Sequence, residues 1–275
     1  MINKNIRKKA MEEQLDDLRE RIIKKHKPCK GTGFLNTFSR RQSKGVLTFV
    51  NRAVTACKCR TRFKYISIFI YSNVPYESLL NQKIYGRVVV DAITGDKIEI
   101  RKEIINPYVK HIVKAIKTPY GFLFLGKNGV GKTFLGLKLL YYAVMNGFTV
   151  HNIDFADYLK LARKSFSFDS SVEAMLDEIM KVDLLVIDEI GNESKRSEFA
   201  ISELKSLYKK RVSLRRPTIL ITNYSWKSFK KIYKKSIENM VRSHSRVFDF
   251  SLAADVRTTK CGKDMASFFK EIARD

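Results

Sequence analysis

The run Gly126-Lys127-Asn128-Gly129-Val130-Gly131-Lys132-Thr133 lies between an apolar strand-like segment, 120–125, and an apolar helix-like segment, 133–145. It fits the spacing G-x-x-x-x-G-K-[ST], and chemistry explains that spacing. Glycines let successive backbone N–H groups turn inward as an anion nest, and the following helix adds its positive N-terminal end. Lys132 then reaches β- and γ-phosphates, while the Thr133 hydroxyl is placed to ligate Mg²⁺. Asn146-Gly147 ends the helix with a C-terminal stop signal. The strand–loop–helix context is the one a phosphate loop requires.

Two more segments point the same way. Leu184-Leu185-Val186-Ile187-Asp188-Glu189 is an apolar strand ending in two carboxylates, about 55 residues after the loop. One carboxylate at a strand tip can hold Mg²⁺, here Asp188. Its neighbour Glu189 faces elsewhere and can polarise an attacking water, which favours hydrolysis over transfer to a bound acceptor. Thr218-Ile219-Leu220-Ile221-Thr222-Asn223 ends in a polar residue, and Asn223 reaches the γ-phosphate if this strand neighbours the first. Short strands at 120–125, 148–153, 183–187, 218–222 and 247–252 alternate with helical stretches, so the expected body is α/β with a five-stranded parallel sheet.

Charge divides the chain. Its 275 residues carry 53 Lys+Arg against 28 Asp+Glu, a formal +25, of which +13 falls in the first 65 residues. That balance favours polyanionic partners, nucleic acid first. No apolar run approaches the roughly 18 residues a membrane helix needs. The N-terminus lacks a signal-peptide pattern, which leads to an expectation of a cytoplasmic protein without a membrane partner. The expected organisation is a basic module over 1–65, a connecting region over 66–117 and an ATPase body over 118–275. Within the module, Met11, Leu15, Leu18 and Ile22 recur at helical spacing and end near Pro28, a stripe for packing or for partner binding. Residues 45–56 read as strand or hairpin. His26 and Cys29 have the spacing of a metal knuckle, and Cys57 with Cys59 supplies a second pair of soft ligands. Four N/S ligands make a closed tetrahedral Zn²⁺ site that staples the module and does not catalyse.

Lys160, Arg163 and Lys164, beside Tyr158 and Phe166, suit single-stranded DNA, where bases stack on aromatics and phosphates pair with cations. In 226–235, Trp226, Phe229, Ile232 and Tyr233 share one helical face and read as core, with the lysines solvated.

The strings LGKNGVGKT, LLVIDEIG and PTILITN, in that order, resemble AAA+ ATPases, specifically the DnaC/DnaI-type helicase loaders of phage or bacterial type and their IstB-like relatives. The N-terminal string His26-Lys27-Pro28-Cys29-Lys30-Gly31-Thr32-Gly33 with Cys57-Lys58-Cys59-Arg60 resembles the zinc module of such loaders, with His26 where they commonly carry cysteine. The resemblance implies ATP, Mg²⁺ and Zn²⁺ as cofactors, and a DnaB-type helicase and single-stranded DNA as partners. It also implies self-association through AAA+ interfaces, with Arg242 (or Arg246) acting on a neighbouring subunit's nucleotide and Arg257 as sensor. The alternatives are an IstB-like helper that delivers a transposase, and a nucleotide-switched regulator without significant turnover.

Overall fold

The computed structural model describes residues 16, 20–24, 34–43, 46–57, 87–166, 170–192 and 198–253. The chain divides into two compact units, Met1–Tyr71 and Ser72–Asp275.

In the first unit, β1 (Phe34–Ser43) and β2 (Val46–Ala56) pair antiparallel from Phe34↔Ala56 to Ser43↔Val46, with an irregularity at Phe38/Ser39. The hairpin is therefore longer than the 45–56 segment suggests. β1 is rich in polar residues, and pairing with β2, not its own propensity, makes it a strand. Cys57, just past β2, is buried. His26, Cys29 and Cys59, and most of the 11–22 stripe, lie outside the described residues. No group of three or more His, Cys, Asp or Glu able to hold a metal occurs among the described residues.

The second unit opens with β3 (Val88–Asp91) and β4 (Lys97–Glu99), then a π-helical turn at Arg101–Ile105 and two short helices, α1 (Asn106–Lys110) and α2 (Ile112–Ala115). Strand–helix alternation follows: β5 (Gly121–Leu125), α3 (Lys132–Met145), β6 (Val150–Asp154), α4 (Phe155–Ser165), α5 (Ser170–Lys181), β7 (Leu184–Ile190), α6 (Glu198–Ser213), β8 (Thr218–Thr222), α7 (Trp226–His244) and β9 (Ser245–Asp249). The sheet order is β4-β3-β9-β5-β8-β7-β6. Five strands, β9 to β6, run parallel as expected. The sheet is nevertheless mixed and seven-stranded, because β3 and β4 add an antiparallel hairpin beside β9. They come from the segment read as a connection. At four and three residues they are too short to announce themselves, and their partner strand lies far away in sequence.

β5 is buried at every position, GFLFL, because a central parallel strand is covered on both faces. Alternation assigns its side chains. Leu123 and Leu125 join Leu185, Ile187, Leu220 and Val247 in a core with α4, α5, α6 and α7. On the other face Phe122, Phe124, Phe248 and Phe250 form an aromatic cluster that reaches Tyr108 of α1. α3 packs on this face, where Gly136 is tight against Ile221; an added Cβ would meet its Cδ1 at 2.9 Å. α7 is capped by Ser225, whose hydroxyl accepts from the Ser228 N–H at 3.2 Å. It buries Trp226, Phe229, Tyr233, Ile237 and Val241 along one stripe; of the four residues expected as core, Ile232 is partly buried. Burying those five side chains contributes on the order of 10 kcal/mol before chain entropy is subtracted.

Candidate functional site

The loop 126–131 connects β5 to α3 at the carboxyl edge of the parallel strands, where α/β sheets present their ligands. Gly126, Gly129 and Gly131 have φ of +126°, +82° and +88°, a region that glycine enters without steric cost. Their spacing in the sequence is thus a backbone requirement. Gly131 is the N-cap of α3, so Lys132 and Thr133 occupy its first turn.

Lys132 is 5% exposed. Its Nζ donates to the carbonyls of Gly126 and Lys127, both at 2.7 Å, and to Asn223 Oδ1 at 3.0 Å. β8 does neighbour β5, and this bond brings the tip of β8 to the phosphate-type loop. Lys127, Asn128 and Val130 complete the loop between the glycines.

Asp188 is buried at the tip of β7, and its Oδ1 accepts the Glu189 N–H at 2.7 Å. Glu189 is exposed and has φ +56°, a left-handed conformation that costs a non-glycine residue about 1 kcal/mol. This kink lies between buried Asp188 and Gly191, at the exposed Glu189. It is stabilised from below: Thr222 Oγ1 donates to Ile190 O at 2.6 Å, and Tyr224 Oη donates to Gly191 O at 2.9 Å. Gly191 has φ +98°, and a Cβ there would meet the Tyr224 ring at 2.1 Å.

A third carboxylate was not evident from motif spacing. Asp154 ends β6 directly across from Asp188. Burial, then the charges of Glu189, Asp188 and Asp157, raise its carboxyl above the usual range, against a smaller opposing effect of Lys160. The signal in the sequence is an acid at the tip of a strand adjacent to the one bearing Asp188-Glu189.

Elsewhere, Lys160 is held by Asp157 at 2.7 Å, and Lys164 is exposed. Arg163 lies over the Phe199 ring at 5.2 Å, and Phe166, 68% exposed, packs on the same ring at 6.2 Å. Phe199, from α6, completes an aromatic–cation cluster that 157–166 shows only in part.

Arg242 and Arg246 are at the opposite, amino edge. Arg246 pairs in register with Phe122 on β5, three residues before Leu125 and the loop. Arg242 donates to Glu238 at 3.0 Å and lies over Trp226 at 5.2 Å. Arg246 donates to Asp91 at 3.0 Å and lies over Phe248 at 5.1 Å. Arg257 lies outside the described residues.

Residues 112–240 match the family model of IstB-like ATP binding proteins. This segment is similar to IstB-like ATP binding proteins and to DnaC helicase loaders. The replicative helicase loader DnaC of Escherichia coli K12 is 32% identical over 124 residues, 44% of this chain and 49% of that protein. DnaC of Buchnera aphidicola subsp. Baizongia pistaciae is 29% identical over 130 residues, 46% of this chain and 52% of its own. A crystal structure of the DnaC helicase loader superposes with a TM-score of 0.47 at 17% identity, over 58% of this chain and 96% of that one. The chain spans about half the length of the curated relatives it matches. Among the described residues no helix is long and apolar enough to cross a membrane.

Proposed function

We propose that this protein is an ATP-hydrolysing loader of a DnaB-type replicative helicase that also grips single-stranded DNA. The observation that carries the ATPase reading is the Lys132 bridge, which gathers the glycine loop and Asn223 at one end of the sheet beside the β7 carboxylates. In this reading Gly126 to Thr133 cradle the phosphates, with Lys132 exchanging carbonyl partners for phosphate oxygens. Thr133 and Asp188 would hold Mg²⁺, which neutralises charge on the phosphates when bound. Glu189, exposed on its left-handed backbone, accepts the proton of the attacking water, and Asn223 orients that water.

Arg242 and Arg246 sit at the sheet edge remote from their own loop, which supports action on a neighbouring subunit's nucleotide through self-association, with Arg257 as sensor. The cluster of Arg163, Phe166 and Phe199, with Lys160 and Lys164 nearby, supports stacking of unpaired bases. A Zn²⁺ held by His26, Cys29, Cys57 and Cys59 suits a one-nitrogen, three-sulfur donor set, and Cys57 is already withdrawn from solvent. Elemental analysis of the purified protein checks it.

The loader reading draws on relatives named as loaders; the IstB-like family model keeps a transposition helper as the rival. The test pairs two measurements on the full chain. Glu189→Gln is expected to retain ATP while hydrolysis falls at least about 100-fold. The wild-type chain with ATP is expected to co-elute with a DnaB-type helicase and not with a transposase. Retention of the transposase alone replaces the loader reading with the helper reading. ATP binding with no measurable turnover in the presence of helicase and DNA leaves a nucleotide-switched regulator.

A further inference from the structure

Arg87 enters the site from outside every motif. It immediately precedes β3, and its backbone carbonyl accepts the Ile100 N–H at 2.9 Å, which continues the β3–β4 ladder beyond Val88↔Glu99. β3 runs antiparallel to β9, so Arg87 stands at the same sheet edge as the glycine loop. Its Nη1 donates to the carbonyl of Val130. The guanidinium also fills the space that a side chain at position 131 would need: a Cβ on Gly131 would meet Nη1 at 2.8 Å and Cζ at 3.3 Å.

The peptide bond 130–131 is trans, so its C=O and N–H point in opposite directions. A cation bonded to the Val130 oxygen therefore also fixes the direction in which the Gly131 N–H points. It also polarises that peptide, since hydrogen bonds at one end of an amide strengthen donation at the other. Burial lowers the guanidinium's pKa from its ordinary value.

We propose that Arg87 is a positioning residue for the phosphate site, locking the Val130–Gly131 peptide so that its N–H is presented to the bound phosphates. The inference rests on the phosphate-loop reading above. It gives the β3–β4 hairpin a part in nucleotide affinity.

The test uses the full-length protein and ADP titration. Wild type must first bind ADP; if it does not, the phosphate-loop reading itself fails, and this inference with it. Given wild-type binding, Arg87→Gln is expected to weaken ADP about tenfold, the loss of one charge-assisted hydrogen bond. Arg87→Lys, which keeps charge but loses the planar fork, is expected to lose about threefold. Competition by adenosine, which has no phosphate, is expected to be the same in wild type and both variants. Millimolar guanidinium is expected to restore ADP affinity to Arg87→Ala severalfold while leaving wild type unchanged. Wild-type ADP affinity in Arg87→Gln overturns the proposal. So does an equal loss for adenosine and ADP, which marks a general disturbance of the fold, or the absence of guanidinium rescue.

Discussion

Lys132 and Arg211 are buried cations at opposite edges of the parallel sheet, and the two are satisfied in different ways. At the carboxyl edge Lys132 donates to two carbonyls of a glycine loop and to an asparagine side chain. At the amino edge Arg211 of α6 is fully buried. Its Nε donates to Thr218 Oγ1 at 2.8 Å, Nη1 to the carbonyls of Ile179, Met180 and Val182, and Nη2 to that of Pro217 at 2.8 Å. Burial draws this guanidinium down to about 9, and five acceptors surround it. Arg211 fastens the end of α5 and the start of β8; its partners are ends of secondary structure that cannot be exchanged for a ligand. On the proposed function, phosphate oxygens take the place of the loop carbonyls bonded to Lys132. Burial with carbonyl partners would then be common to a bolt and to a binding lysine, and what would separate them is whether the partners are replaceable.

The largest effect expected from this contrast is Arg211→Ala. It strands four carbonyl oxygens, and stability measured by urea unfolding should fall by about 4 kcal/mol. Arg211→Lys should recover less than half, since an ammonium cannot span the same acceptors. Lys132→Ala should do the reverse. ATP affinity should drop at least about 100-fold, roughly 2.7 kcal/mol, while the urea midpoint moves little. Unfolding of both variants alike would erase the distinction between the two cations.

Next in size is Gly191→Ala, which places a Cβ against the Tyr224 ring at a positive φ; it should cost about 2 kcal/mol. Calorimetry checks it, and Tyr224→Ala in the same chain should relieve part of that cost by emptying the space.

The smallest effect is electrostatic. The carboxyl of Asp154 has a folded-state pKa above its unfolded value of 3.8. The native state therefore binds that proton more tightly, and native stability falls as pH rises through the window between the two values. Asp154→Asn should stabilise the ligand-free protein by about 0.5 kcal/mol at pH 7 after solvent screening. That gain should fade as pH falls toward 3.8, and a gain that persists in acid would place its origin in packing.

The same pair of cations shows what a sequence discloses. The meeting of Lys132 with the glycine loop was legible because the motif spacing sets it at the start of the helix that follows the last glycine, and the place of Asp188 and Glu189 because they close an apolar strand. Asn223 followed once β8 was set beside β5. Arg211 sits among Lys209, Lys210 and Arg215 in a basic stretch, and charge alone assigns it to the surface. Its spacing from Leu204, Leu207 and Tyr208 nevertheless puts it on the core stripe of α6, a signal in periodicity that composition hides. Arg87 had no signal, because its partner is a backbone carbonyl 43 residues away and neither belongs to a pattern. The β3–β4 hairpin was hidden for the related reason that its pairing is decided by β9. Phe199 was missed because it reaches the Arg163–Phe166 pair from another helix.

Sheet order also sets a timetable for synthesis. β5 lies in the middle of the sheet, yet both strands that pair with it, β8 and β9, are made roughly a hundred residues later. At ribosomal rates of about 5–20 residues per second, the sequence GFLFL waits on the order of 5–20 s with both edges open. During that interval it is an apolar segment with unpaired edges, the kind a chaperone shields. The glycine loop cannot take its final form until β9 and Phe250 have left the ribosome, because the Phe250 N–H bonds Leu125 O at 2.9 Å, one residue before Gly126.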